Sequence, residues 1–339
     1  MVLRSWLIIL SFFILTAAVP QQAHQADGPE ELLWFLVVSD SHVGPGLIGG
    51  SQDTDYLQWA TTTLVDTVQP AFVVNCGDLT DGTGGGLFPT GPKDEEWSSY
   101  RAILDDNGMT ADIYYDVPGN HDQYSDLGVP HYLGYSIQGE AHGTSTYHWT
   151  AEHGGWKYLF VGVDTAGSDG APWPADNAGL DGADFEALYA ALDAEPDADI
   201  IAMFGHHPAT SNYFGEGLGE FRDVFDDHLV SAYLYGHSHD YSIKWESDTM
   251  QFNIRSLGKS PNLQVGLIAF DGLGLSAKAF DVDDWPQVLV TAPLNSDLGG
   301  NHPYDYMVDA SAGPATIRAI AFHPDGVEDV IAVVDNGPS

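Results

Sequence analysis

Cysteine is almost missing from this chain of 339 residues: Cys76 alone is present, so no internal disulfide can form. It ends the apolar run Ala71-Phe72-Val73-Val74-Asn75-Cys76, where a buried structural thiol is expected rather than a reactive one. Basic residues are scarce too. Ten Lys and Arg stand against 49 Asp and Glu, for a formal net charge of −39. Such a surface repels nucleic acid and anionic membranes, which are bound through clustered cations. It suits salty surroundings, where a short Debye length weakens self-repulsion. After residue 26, no apolar run is long enough to cross a bilayer, which takes about 20 residues.

Residues 1–26 differ from the rest. Arg4 precedes an apolar run from Trp6 to Val19, and small and polar residues follow it. This three-part layout is that of a secretory signal, with cleavage after Ala18 or after Ala26. The alternative is an uncleaved amino-terminal anchor; a lipid anchor lacks its cysteine. The expectation is a secreted or extracytoplasmic protein without stable membrane insertion once the signal is removed.

Hydrophobic residues make up 44% of the chain, ample for a packed core. Strands are predicted at Leu32–Ser39, Ala71–Cys76, Asp112–Val117, Ser145–Trp149, Tyr158–Val163, Ile200–Phe204 and Val230–Tyr235. Their unbroken Val, Ile, Phe and Tyr content suits sheets covered on both faces. Helices are predicted between them at Asp55–Val68, Glu95–Asn107, Gly182–Ala194 (capped by Asp181) and Glu216–Asp227. The alternation argues for a layered α/β domain. Beyond it, Tyr241–Trp245, Met250–Arg255, Leu263–Phe270 and Leu275–Phe280 read as successive antiparallel strands, with Asp271-Gly272 as a hairpin turn. From Trp285, itself expected in the core, a β-rich piece holds Gln287–Thr291, Thr316–Phe322 and Asp329–Val334. The division is residues 1–26 as signal, 27–283 as the main domain, and 284–339 as a small β module or partial β-sandwich. Gly82 to Pro92 is glycine-rich and reads as a flexible loop or a mobile rim.

Five short bursts of oxygen and imidazole donors punctuate this pattern: Asp40-Ser41-His42, Gly77-Asp78-Leu79-Thr80-Asp81, Gly119-Asn120-His121-Asp122, Gly205-His206-His207-Pro208 and Gly236-His237-Ser238-His239. Each follows an apolar run, and α/β sheets assemble sites at the carboxyl ends of their strands. Carboxylate, amide oxygen and imidazole without thiolate match hard-to-borderline divalent cations. A pocket for two such metals with a bound hydroxide is what phosphate-ester cleavage requires. One burst alone is a weak signal; five in order are a strong one. After residue 26 the remaining histidines, His131, His142, His148, His153, His228, His302 and His323, show no ligand spacing and read as surface or core residues.

These blocks resemble the calcineurin-like metallophosphoesterase superfamily. Within it, Val68-Gln69-Pro70-Ala71, the block through Asp81, Glu96-Trp97 with Tyr100, Val117 to Asp122, and Trp285-Pro286 with Val288 to Thr291 are most similar to the transmembrane-protein-sixty-two type. That likeness runs from about Leu33 through Ile317-Arg318-Ala319 and the strands beyond, but the downstream membrane spans of that type have no counterpart in this sequence. The resemblance implies a four-layer α/β/β/α sandwich, here with a small carboxyl-terminal β-rich appendage. It implies a binuclear phosphoric ester hydrolase. Asp40, His42 and His239 would hold the first metal, Asn120, His206 and His237 the second, with Asp78 bridging. His206 is preferred to its neighbour because the family ligand stands two residues before the position of Pro208; His207 would support a ligand or meet phosphate. His121 would be the general acid, oriented by the Asp81 carboxylate; otherwise they are a hydrogen-bonded histidine and a turn-capping carboxylate. The cofactors would be two divalent ions, Mn, Fe, Zn or Co.

For the substrate the sequence speaks mainly by exclusion. Where the protein phosphatases of this superfamily carry arginine after Asp-x-x-Asp, this chain has Gly82. None of its five arginines adjoins a motif, and a phosphomonoester dianion is usually gripped by a guanidinium fork. His42 and Asp81 speak against the purple acid phosphatase branch, and the acidic surface against a nuclease. A small phosphodiester is expected, with a phosphomonoester or a non-catalytic, metal-stabilised binding protein as alternatives.

Overall fold

The computed structural model describes residues 32–45, 52–84, 90–167, 179–246, 248–259, 261–293 and 317–332. The predicted signal, His302 and the centre of the glycine-rich loop lie outside them.

Strand β1 (Leu32–Val38) is buried nearly throughout, as its Leu-Leu-Trp-Phe-Leu-Val-Val sequence demands of a central strand. It runs parallel to β2 (Val73–Asn75), which runs parallel to β3 (Tyr114–Asp116). On its other side lies the antiparallel hairpin of β10 (Gln264–Asp271) and β11 (Gly274–Asp281), giving the order β11-β10-β1-β2-β3. The second sheet joins β4 (Tyr147–His153), β5 (Trp156–Gly162), β6 (Ile200–Phe204), β7 (Ala232–Tyr235), β8 (Ser242–Glu246) and β9 (Thr249–Asn253) in the order β4-β5-β6-β7-β9-β8.

The two sheets pack face to face through Phe35, Phe72, Phe160, Phe204, Phe252 and Phe270, all buried. On the outer face of the first sheet lie α1 (Gln52–Trp59) and its continuation through a π-turn at Ala60–Leu64 into α2 (Val65–Val68). Thr61 and Thr62 bend hydroxyls back to the carbonyls of Leu57 and Gln58 there, a habit that loosens regular helix. With them pack α3 (Asp94–Asp106), α5 (Pro130–Tyr135) and α6 (Ile137–His142), through Leu57, Leu64, Trp97, Tyr132 and Ile137, while the single turn α4 (Asn120–Gln123) abuts α5. The second sheet is covered by α7 (Gly182–Leu192) and α8 (Leu218–Asp227) through Phe185, Leu188, Phe221 and Phe225. The architecture is the four-layer α/β/β/α sandwich, and Asp181 caps α7 as expected, accepting from the amides of Ala183 and Asp184.

Two expectations change. The last four strands of the domain are not one meander: β8 and β9 join the second sheet, β9 parallel to β7, while β10 and β11 complete the first. In the appendage, β12 (Gln287–Ala292) and β13 (Arg318–Phe322) form an antiparallel pair, but residues 329–332 form no strand. Val330 and Ile331 stand 66% and 83% exposed, so that segment has neither a pairing edge nor a covering layer. Leu289, Ile320 and Phe322 pack the pair onto the first helical layer, with Phe322 against Trp34 and Trp285 against Trp59. Cys76 is fully buried, and burial drives its thiol pKa well up, as a structural thiol requires.

Candidate metal centre

All five motifs leave carboxyl ends of strands: Asp40 after β1, Asp78 after β2, Asn120 after β3, His206 after β6 and His237 after β7. Beyond the strands, the first two segments keep pairing. Asp40 N–H donates to Gly77 O, His42 N–H to Asp78 O, and Val43 N–H to Leu79 O, at 2.8–2.9 Å. Asp122 then ties the third motif to the second, accepting from the amides of Leu79, Thr80 and Gly119 at 2.9 Å. Gly119 admits nothing larger, because a Cβ there would collide with the amide and carboxylate of Asp78. His237 N–H donates to Asp40 Oδ2 at 3.1 Å and closes the ring of motifs.

The backbone is strained where the donors sit. Asp40, His42, Asp78, His237 and His239 all have φ between 45° and 65°, the left-handed region that costs a non-glycine residue about 1–3 kcal/mol. Five of the seven expected ligands share that conformation. The fold tolerates it because the motif-to-motif hydrogen bonds fix the loops.

The side chains converge. His239 Nε2 lies 3.1 Å from Asp40 Oδ1 and 3.3 Å from His42 Nε2. His42 Nε2 is 3.6 Å from Asp78 Oδ2, and His206 Nε2 is 3.3 Å from Asp78 Oδ1. Asn120 Oδ1 sits 3.1 Å from His206 Nε2 and 2.9 Å from His237 Nδ1. Asp40, His42, Asp78, Asn120 and His206 are buried, whereas the His239 side chain is 30% exposed. Among the described residues, four groups of three donors could each hold a metal ion: Asp40-His42-His239, Asp40-Asp78-His206, His42-Asp78-His121 and His206-His207-His237. Asp81 is in none of them.

The donor set fits a divalent metal. His206 Nδ1–H is committed to Cys76 O at 2.8 Å, so the lone pair on Nε2 faces the oxygens of Asp78 and Asn120. Acceptors do not face acceptors in a buried pocket unless positive charge lies between them. Accordingly, although burial opposes it, the Asp78 carboxylate lifts His206 to a pKa of about 9. Asp40 Oδ1 is buried and faces only imidazole nitrogens, His239 Nε2 at 3.1 Å and His42 Nε2 at 3.8 Å. Burial also costs Asp40 and Asp78 their charge, yet the facing imidazoles hold both carboxylates below the usual range. Burial and the nearby cations keep the His42 ring neutral, the form that binds metal.

His121 projects its ring beside the cluster, with Nε2 3.9 Å from Asp78 Oδ2. The expected Asp81 carboxylate does not orient it. Nδ1–H donates instead to the main-chain carbonyl of Asp81 at 2.7 Å. The carboxylate turns away to the Thr83 hydroxyl and the Lys259 ammonium, with His42 Nδ1 3.5 Å from it. His207 is a buried support: its Nδ1 meets Thr165 Oγ1 at 3.0 Å, and that hydroxyl also takes the amides of His206 and His207. Of the other described histidines, none joins a donor group; His131, for instance, pairs with Asp126 and Asp94 at the edge of α3.

Sequence reasoning missed Thr165, Tyr124, Glu96 and Lys259. Tyr124 OH receives Asn120 Nδ2 at 2.6 Å, which turns the amide oxygen inward. Glu96 takes the amides of Gly82 and Gly84 at 2.6 and 2.7 Å and so anchors the root of the glycine-rich loop. Lys259 follows Gly258 in a loop with no metal-motif residue; its only signal was rarity, as one of ten cations in a chain of charge −39.

A metallophosphoesterase-named protein of Arabidopsis thaliana is 27% identical over 373 residues, 91% of this chain and 49% of that protein. Transmembrane protein 62 of Mus musculus is 25% identical over 330 residues, 94% of this chain and 50% of that protein. The chain thus spans about half the length of these curated relatives. Among solved structures, GAP50, the anchor in the inner membrane complex of Plasmodium, shares the fold with a TM-score of 0.50 at 15% identity, covering 75% of this chain and 85% of its own. The sequence model of the calcineurin-like phosphoesterase family matches residues 33–241, more than half of the chain, and the chain belongs to that family.

Proposed function

We propose that the chain is a phosphoester hydrolase with a binuclear centre, in which Asp40, His42 and His239 hold one divalent ion, Asn120, His206 and His237 the other, and Asp78 spans both. The observation that carries this reading is the Asp78 carboxylate: Oδ1 faces His206 at 3.3 Å while Oδ2 faces His42 at 3.6 Å, one oxygen toward each set. Bound divalent ions would supply an acidified water as nucleophile and charge to clamp the phosphoryl oxygens. Mn, Fe, Zn and Co all suit the mixed N/O donors.

The chain's own residues do the rest. Asp40, Asp78 and His206, buried and cross-linked by main-chain bonds, keep the donors in place without reorganisation. His121, as the imidazolium with a proton on each nitrogen, hands the one on Nε2 to the leaving oxygen and is left neutral with its Nδ1–H in place. Its Nδ1–H is tied to the Asp81 carbonyl, so Nε2 is the free nitrogen on the cluster side. The substrate is a small phosphoester, since a −39 charge offers no track for a nucleic acid. The chain reads as exported through residues 1–26, with 284–339 as a module docked on the main domain; among the described residues, no helix is long and apolar enough to cross a membrane.

The test is turnover by purified protein stripped of metal and refilled with Mn²⁺. Initial rates are compared on p-nitrophenyl phosphate and bis-p-nitrophenyl phosphate, with Asp78→Asn as control. Metal-dependent cleavage lost in Asp78→Asn is expected. Equal rates for wild type and Asp78→Asn on both esters would leave the metal-stabilised binding protein instead.

A further inference from the structure

The case for a diester rested on the lack of a cation beside the motifs, and the fold supplies one. Lys259 Nζ pairs with Asp81 Oδ1. Seven of the other eight described cations are engaged elsewhere: Arg101 with Asp105 and Glu140, Lys157 with Glu195 and Asp197, Arg222 and Lys244 with Glu246, Arg318 with Asp271, Lys93 with Thr90, and Lys278 over Phe280. The eighth, Arg255, has no such pairing with a site residue.

Lys259 is brought there by construction. Its loop is pinned to the first motif: Leu257 N–H donates to Ser39 O at 2.9 Å and Gly258 N–H to Asp40 O at 3.1 Å. Ser256 Oγ donates to Asp40 O at 2.8 Å and receives the Lys259 amide at 2.7 Å. A Cβ on Gly258 would collide with the Ser41 carbonyl, so the loop lies as close to the ligand-bearing segment as a backbone can. Around the fully buried His42 stand the partly exposed His121, with ring centroids 4.7 Å apart, and His239, at 5.3 Å, and the buried Asp81, whose Oδ1 lies 3.5 Å from His42 Nδ1 and carries the partly exposed Lys259. Their side chains are 17%, 30% and, for Lys259, 33% exposed. The ammonium therefore stands, with His121 and His239, among the partly exposed groups next to His42.

We propose that Lys259 grips the substrate phosphoryl group and selects phosphomonoester dianions over diesters; this rests on the hydrolase reading above. A phosphomonoester has three non-bridging oxygens. Two suffice for a pair of cations, and the third is left for another donor. A diester has only two non-bridging oxygens and a single charge. An ammonium carries three N–H donors, and Asp81 takes one, leaving two for that third oxygen. Asp81, with its other oxygen on Thr83, acts as the bracket that aims the lysine.

The experiment compares wild type, Lys259→Met and Lys259→Arg, each Mn²⁺-loaded, with folding checked by thermal melt and metal content by mass spectrometry. Inorganic phosphate binding is measured by calorimetry, and kcat/KM on both p-nitrophenyl esters. Loss of a charge-assisted contact predicts phosphate binding about 10–100-fold weaker in Lys259→Met, largely restored in Lys259→Arg. Monoester kcat/KM should fall at least about tenfold more than diester kcat/KM, chiefly through KM. Phosphate affinity equal in Lys259→Met and wild type would overturn the proposal, as would equal losses on the two esters or a wild-type preference for the diester. If wild type turns over neither ester, the hydrolase reading fails, yet phosphate binding still decides whether Lys259 is the anion grip.

Discussion

The two halves of the candidate metal centre hold their donors by different means. In the half formed by Asp40, His42 and His239, all three residues have positive φ, at 52°, 45° and 53°. Their side chains lean mainly on one another and on the facing motif: Asp40 Oδ1 meets His239 Nε2 at 3.1 Å, Asp40 Oδ2 takes the amide of His237, and the His239 side chain is 30% exposed. In the half formed by Asn120, His206 and His237, only His237 has a positive φ, at 65°. There the support is side-chain deep: Tyr124 turns Asn120, Cys76 O fixes the His206 tautomer, and Thr165 holds the amides behind it. One half aims its ligands by backbone geometry, the other by outer hydrogen bonds. Outer partners raise ligand basicity and fix ring orientation, so the second half should bind metal more tightly and exchange it more slowly.

The largest test of this contrast is the residue common to both halves. Asp78→Asn should lose more than about 10⁴-fold in rate, exceeding what a single positioned acid contributes, and should bind at most one metal per chain. Rate and metal content measured together check it; two retained metals would mean that the halves do not share Asp78. Next comes His121→Ala, expected to cost about 10²–10⁴-fold, more for esters with poor leaving groups, at unchanged metal content. A loss of metal in that variant would make His121 a ligand, which its place in the His42-Asp78-His121 donor group allows in principle.

The same contrast explains what could be read before folding. The candidate donors that the fold brings together were legible because a metal demands particular atoms, and carboxylate, amide and imidazole bursts at strand ends are conspicuous one by one. Strand β6 was placed to the residue, and β1 to within one, because both are continuous apolar runs. What stayed hidden depends on distant pairing. Their apolar content marks β9 and β10 as strands but cannot say that they belong to different sheets. Helices α5 and α6 escaped because six-residue segments interrupted by Gly134 and Gly139 carry no helical period. Tyr124, Thr165 and Lys259 have no spacing rule tying them to the motifs. The bond from His121 went to the backbone of Asp81, and no residue type announces a carbonyl.

Tyr124→Phe attacks only the second half, removing the hydroxyl that turns Asn120. Metal affinity there should fall about 10–100-fold, with the first half unaffected. Competition with a chelator should lose the ordering of the two sites, and an unchanged release pattern would show that Asn120 needs no such prop. A pH effect follows from the same half. His206 has a pKa of about 9 in the metal-free pocket, against an ordinary 6.5, because the Asp78 carboxylate outweighs burial. A raised folded-state value stabilises the metal-free fold fully below about pH 6.5, and that stability is lost as pH rises through about 9. Thermal melts of the chelated protein should decline across that window, while the metal-loaded protein, with a cation in place of the proton, should not.

The smallest effect should come from Asp81→Asn, and it separates a side chain from its own backbone. The carboxylate binds Thr83 and Lys259, but the bond that orients His121 comes from the main-chain carbonyl, which asparagine keeps. The substitution should therefore cost about tenfold or less in rate, the scale of one hydrogen bond, rather than the loss expected on removing His121. The cost should appear in KM, through a loosened Lys259, and the pH–rate profile should keep its shape. If Asp81→Asn instead matched His121→Ala and moved the profile, the carboxylate would be acting on the imidazole directly. The backbone would then not be what holds the acid in place on this side of the centre.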